Sequence, residues 1–137
     1  MTLTADAANE ILADNFAPWV LDLGLVVVAV DSTRAVVRLP WSPKLAREGG
    51  ALSGQAIMAA ADTATVIAIS AASGGYRPMT TVQQSSTFRR PVVDADCLFT
   101  ARIGKLGRSM AFVDVDVTLA ETSTQVAQAS TVYALLG

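Results

Sequence analysis

Residues 53–72 read SGQAIMAAADTATVIAISAA, a small and apolar run whose single charge is Asp62. Ser53 is a favoured helix N-cap, and glycine at 74 or 75 suits the position just past a helix end, so one long helix is expected to stop near Ser73-Gly74-Gly75. Ala56 to Ala72 is Ala-rich, interrupted by Asp62 and short of the roughly 20 residues that span a bilayer. It reads as a helix buried inside a fold.

Working outward, Ala8, Ile11, Leu12 and Phe16 recur at spacings of three or four after a cap at Thr4, which predicts an amphipathic helix from Thr4 to Leu21 broken near Pro18. Leu25 to Val30 and Ala35 to Leu39 flank Asp31-Ser32-Thr33-Arg34 and read as a β-hairpin. Pro40, Pro43, Gly49 and Gly50 mark an irregular loop. Beyond Pro78, strands are expected over Thr80 to Phe88, Cys97 to Ile103, Met110 to Leu119 and Gln125 to Leu135. In the third, Val113, Val115, Val117 and Leu119 alternate with Phe112, Asp114, Asp116 and Thr118, the period of a strand with one buried face. The order is helix, two strands, one long apolar helix, four strands. Four strands after the helix fit an antiparallel meander, and the long helix is the only apolar partner for it. A single curved sheet wrapped round that helix is the simplest packing.

The chain has 137 residues, 52% apolar and 16% charged, with a net charge of −2. One compact domain over residues 1–137 is expected, burying roughly two-thirds of its unfolded surface. With no histidine and one cysteine, Ser-His-Asp and Cys-His nucleophile systems lack a base, His/Cys zinc sites lack ligands, and an intramolecular disulfide is impossible. Acid or base work falls to a carboxylate, with no metal and no cofactor. The acidic balance and the absence of a basic block argue against nucleic acid as a partner. The N-terminal MTLTADAANEILADNF lacks the basic and apolar regions of a secretory signal, so a cytoplasmic location is expected, away from membranes. Cys97, in a β-like run, reads as a small core residue, and Trp19 and Trp41 as packing anchors, with Trp41 the one placed near the loop to touch a ligand.

Two features in the long helix carry chemistry. Gly54, after the Ser53 cap, leaves the first helical N–H groups unobstructed, and the positive end of the helix dipole suits an oxyanion there. A helix that is merely capped has the same residues. Asp62 has apolar helical neighbours, Met58, Val66 and Ile69. A carboxylate on an apolar stripe needs a partner, and burial would raise its pKa toward the range of a general base. A structural Asp bonded to a neighbouring strand or to a symmetry mate is the alternative. Eight residues of helix separate Gly54 from Asp62 by about 12 Å, too far for one helix to apply both to one carbonyl. Two antiparallel helices across a two-fold axis can do so, which predicts a homodimer with shared sites.

These residues resemble the hotdog-fold acyl-CoA thioesterases of the phenylacetate-pathway (PaaI-type) branch. Ser53-Gly54-Gln55 stands at that family's His-Gly-Gly turn, and Ala60-Ala61-Asp62-Thr63-Ala64 at its Leu-Ala-Asp-Thr-Ala. Thr81-Val82 through Phe88-Arg89-Arg90-Pro91 is similar to its strand ending in Phe-x-Arg-Pro. Lys105-Leu106-Gly107-Arg108-Ser109-Met110-Ala111-Phe112 is similar to its Lys-x-Gly-Arg/Lys-Ser-x-Ala-Phe hairpin. The likeness runs from about Pro40 to the C-terminus. It implies an α+β hotdog fold, a six-stranded antiparallel sheet wrapped around one long central helix, and hydrolysis of an aromatic or medium-chain acyl-CoA by a homodimer or a dimer of dimers. By position, Asp62 becomes general base or nucleophile, Gly54 the oxyanion donor and Thr81 the hydroxyl that orients water. Arg90, Arg108 and, more weakly, Lys105 become ligands of the CoA phosphates, where solvated residues at strand ends are the alternative. Ser53 replaces the family's histidine and supplies no imidazole. Gln55 brings an amide that can polarise the substrate or fill the acyl pocket, and Arg47 stands near the position of an asparagine in many members. These departures keep a second class open, a non-catalytic hotdog module that binds acyl-CoA or another hydrophobic ligand. A hotdog hydratase is a weaker third reading, because such enzymes use histidine.

Overall fold

The computed structural model describes residues 3–137. Thr4 accepts the Ala7 amide at 3.1 Å and caps α1 (Ala5–Asn15). Pro18 opens the short α2 (Pro18–Leu21) in the first turn, where its missing N–H has no intrahelical partner to lose. The expected break between the two helices is present. Strands β1 (Val26–Val30) and β2 (Arg34–Leu39) pair across a turn in which Asp31 Oδ1 accepts the amides of Thr33 and Arg34. A loop with one 3-10 turn at Pro43–Leu45 leads to α3 (Gly54–Ala72), and Ser53 Oγ accepts the Ala56 amide at 3.2 Å. Strands β3 (Met79–Phe88), β4 (Cys97–Leu106), β5 (Met110–Leu119) and β6 (Gln125–Leu135) follow.

The six strands form one antiparallel sheet in the order β1-β2-β4-β5-β6-β3, with α3 packed on one face. Strands β4, β5 and β6 make the expected meander, but β3 does not. It pairs with β6 at the far edge, and residues 89–96 carry the chain back to β4 beside β2. Alternating hydrophobicity tells which face of a strand is buried and leaves its neighbours undetermined.

On the buried face, Ala60, Ala61, Ala64, Ile67, Ala68 and Ile69 of α3 meet Phe99, Val113, Val115 and Val117. The alanines let helix and sheet approach closely, and truncating Ile67 to Ala would cost about 2–5 kcal/mol. By length and composition α3 could cross a bilayer, yet most of it is enclosed by the sheet. Cys97 is fully buried in the same core, where burial, with Asp96 adding to it, pushes its thiol up to about 11.

Candidate active site

One stripe of α3 is left uncovered. Gln55 and Met58 are exposed, Ala59 and Asp62 half-buried, and these positions share a face by their spacing of three and four. Asp62 therefore sits on a border: Val66 and Ile69 point into the core, while Met58 is 41% exposed. The apolar stripe expected around Asp62 is half core and half open surface. Edge strand β3 runs beside it, exposed along most of its length, and Gln84 Nε2 donates to the Met58 carbonyl at 3.3 Å.

Asp62 is held by two strands. Thr81 Oγ1 lies 3.0 Å from Oδ1 and 3.3 Å from Oδ2, and the Tyr133 hydroxyl makes a short hydrogen bond to Oδ1 while lying 3.2 Å from the Asp62 main-chain carbonyl. The two hydroxyls come together because Thr81 and Tyr133 are direct cross-strand partners in the β3–β6 pairing. Burial, reinforced by the Asp62 carboxylate, pushes the Tyr133 phenol far above the ordinary tyrosine range. It stays a neutral donor. The pair fixes Oδ1 and leaves Oδ2 with only the longer Thr81 contact, free to accept a proton or to attack carbon. Sequence reasoning singled out Asp62 and Thr81 and missed Tyr133, which reads locally as one more buried residue of a β pattern.

At the other end of the stripe, the amides of Gly54 and Gln55 lack an acceptor among the described residues, as expected for the first turn of a helix. A Cβ added at Gly54 would stand 3.4 Å from the Phe88 ring, in ordinary contact. Two clefts flank this turn. One, of about 430 Å3, is lined by Gly54, Ile57, Phe88, Arg47, Arg89 and Arg90, with Arg47 Nη1 donating to the Glu48 carbonyl at 2.8 Å and Arg89 Nη1 donating to Gln125 Oε1. The other, of about 310 Å3, is lined by Trp19, Leu23, Leu45, Ser53, Gln55 and Ala56 together with the charged Asp22 and Lys44.

The structure separates the expected residues into two groups. Ser53, Gly54, Gln55 and Arg90 gather at the start of α3. Asp62 and Thr81 lie at the other end of the stripe, where the pairings Leu106 with Ala111, Ala111 with Tyr133 and Tyr133 with Thr81 also bring the β4–β5 hairpin that carries the exposed Lys105 and Arg108. Thr81 and Phe88 are seven residues apart along β3, a rise of about 23 Å. Of the two tryptophans expected to be packing anchors, Trp41 packs against the core and its amide donates to Asp96 at 2.7 Å, whereas Trp19 is 62% exposed and lines a cleft.

The thioesterase superfamily profile matches residues 49–125, from before Gly54 through the start of β6. The chain belongs to the thioesterase superfamily. Among solved structures, this superfamily member is similar to zebra fish thioesterase superfamily member 2, with 25% identity and a TM-score of 0.87 over 98% of this chain and 100% of that one. It is similar in fold to the PaaI protein of the E. coli phenylacetic acid degradation operon, with 16% identity and a TM-score of 0.83 over 98% of this chain and 96% of that one. A third likeness of fold is to smu.793 of Streptococcus mutans, solved bound to acetyl CoA, with 22% identity and a TM-score of 0.75 over 82% and 89% of the two chains. No match is found among curated proteins. The sheet-wrapped helix of this superfamily member is the hotdog fold.

Proposed function

We propose that this protein is an acyl-CoA thioesterase of the cytoplasm, acting on aromatic or medium-chain esters, with active sites shared between two subunits. The observation that carries the reading is the anchored Asp62 carboxylate, fixed at Oδ1 by Thr81 and Tyr133 on the open stripe of α3. Exposed apolar side chains along that stripe and its edge strand, Met58, Val82 at 55% and, at the Gly54 end, Phe88 at 49%, suit a self-complementary contact about a two-fold axis, as a homodimer or within a dimer of dimers. Antiparallel α3 helices across that axis set Asp62 of one subunit opposite the partner subunit's Gly54.

In this arrangement the thioester oxygen accepts the partner subunit's Gly54 N–H at the positive end of its helix. Asp62 takes a proton from water as the water oxygen adds to the carbonyl carbon. The tetrahedral intermediate then collapses, the C–S bond breaks as Asp62 returns the proton to the departing sulfur, and the acid and CoA thiol leave with the Asp62 carboxylate regenerated. Direct attack by Asp62, giving an anhydride that water later opens, uses the same groups. Ser53 contributes by capping the helix, Gln55 by lining the adjacent cleft, and Thr81 by holding Asp62 as well as offering an oxygen to the water. In this reading Arg90 from one subunit, with Lys105 and Arg108 from the other, bind the CoA phosphates. The CoA assignment is supported by the acetyl CoA bound to smu.793.

Purified protein assayed for thiol release from phenylacetyl-CoA and hexanoyl-CoA tests the activity. Binding of those esters, seen as a thermal shift without thiol release, would assign the chain to the non-catalytic class. Sharing of the site is tested by mixing two inactive variants, Asp62→Asn and Gly54→Pro. In a mixed dimer one site carries both lesions and the other carries neither, so random reassociation restores about a quarter of the activity. No recovery would place both groups in the same subunit's site.

A further inference from the structure

We infer that Thr65 on α3 and Thr131 on β6 are a positioning pair for Asp62, keeping the helix in register on the sheet while the carboxylate changes its protonation or bonding. The inference rests on the reading of Asp62 as base or nucleophile. Thr65 is fully enclosed and Thr131 is 1% exposed. Their hydroxyl oxygens lie 3.0 Å apart, with Thr65 Oγ1 2.9 Å from the Ala61 carbonyl and Thr131 Oγ1 3.0 Å from the Val113 carbonyl. Two hydroxyl hydrogens face three acceptors, so whichever hydroxyl bridges to the other, neither donor is orphaned.

Thr65 follows Asp62 by three residues, about 4.5 Å of helix rise, and Thr131 precedes Tyr133 by two, about 7 Å of strand. Asp62 with Tyr133 and Thr65 with Thr131 are therefore successive polar rungs between one helix and one strand. Around them α3 meets the sheet through apolar side chains, Ala60, Ala64 and Ala68 among them. Apolar burial is non-directional, whereas hydrogen bonds have a preferred geometry, so the rungs fix where on the sheet Asp62 stands. Only one rung takes part in the reaction. When Asp62 has accepted a proton or formed the anhydride, its bond to Tyr133 loses the assistance of the carboxylate charge. The threonine rung is uncharged and unaltered by that step, and it keeps α3 in place until the carboxylate is regenerated.

Two measurements test this. Replacing both hydroxyls by apolar groups of the same shape, Thr65→Val with Thr131→Val, is expected to leave circular dichroism and Tm near wild type. In that double variant kcat for phenylacetyl-CoA is expected to fall about tenfold with KM unchanged, and Thr65→Ser with Thr131→Ser, which keeps both hydroxyls, to recover it. A kcat within twofold of wild type in the first double variant overturns the assignment, as does an equal loss in the second. Thr131→Val alone, with Thr65 still donating to Ala61, gives the same comparison if the first double variant does not fold. Independently of turnover, the exchangeable proton that Tyr133 donates to Asp62, assigned in 1H NMR spectra by its loss in Tyr133→Phe, should shift in the first double variant and hold its place in the second. An unmoved resonance in the first overturns the assignment as well. Absence of thiol release from every ester would defeat the hydrolase reading alone, with the resonance still deciding the role of the pair.

Discussion

Tyr133 on β6 donates its hydroxyl to the Asp62 carboxylate on α3, across 71 positions of sequence. Its ring is buried, so the donor is held by the core rather than by solvent. Tyr133→Phe removes one donor to a charged acceptor, an interaction of about 1.5–3 kcal/mol. The expected outcome is a fall in kcat of tenfold or more with KM for the CoA ester little changed, since Tyr133 positions Asp62 and does not reach substrate. Steady-state thiol release checks it, and a rise in KM with kcat intact would make Tyr133 part of the binding cleft.

Asp62→Asn keeps the shape of the acceptor and removes its basicity. Turnover should drop at least a hundredfold, while circular dichroism and Tm remain close to wild type because the Thr81 and Tyr133 hydroxyls still find an oxygen. Unchanged turnover would remove Asp62 from the chemistry.

Gly54→Pro deletes one amide hydrogen with little cost to the helix. Proline suits the first helical position, and Ser53 already has the extended backbone, φ −68° and ψ 147°, that a following proline requires. A loss of about 10²- to 10³-fold in kcat is expected for a missing oxyanion donor. Gly54→Ala, which retains the amide and meets Phe88 at ordinary contact distance, should lose less; equal losses would mean that space, not the N–H, is what Gly54 supplies.

Asp96 ties the loop after β2 to the start of β4 by accepting the Trp41 amide at 2.7 Å and Arg38 Nε at 2.9 Å. The Trp41 amide first, and Arg38 after it, hold this carboxyl below the ordinary 3.8, against the opposing effect of burial. Its contribution to stability is therefore full above that value and is lost as pH falls through the lower folded value. Asp96→Asn should cost about 1 kcal/mol at pH 7, discounted for the partial exposure of the pair. Urea denaturation at pH 7 and pH 3 should show the difference between variant and wild type shrinking at the lower pH.

Cys97, with its thiol pushed up to about 11 inside the core, should resist disulfide reagents at pH 8 until the protein is unfolded. Titration with an aromatic disulfide in native buffer and then in denaturant gives the comparison. Prompt labelling in native buffer would show that the β2–β4 region opens.

Periodicity and caps make the elements legible in the sequence. Thr4, Ser53 and Pro18 mark helix starts through local hydrogen bonding and a fixed φ, and alternation in 110–119 marks a strand with one dry face. Charge isolation made Asp62 legible too, because a lone carboxylate in an apolar helix needs an explanation wherever it occurs. Beyond that, neighbours in space decide. Strand β3 lies beside β6 and not beside β4, a choice invisible to a pattern that encodes only faces. That pairing sets Thr81 against Tyr133 and so completes the hold on Asp62. Trp19 and Trp41 are equally apolar in sequence, and only the packing of α2 on the core leaves the first in the open and covers the second. The chain fixes by short-range chemistry which groups can react; the long-range contacts of the folded sheet decide which of them meet.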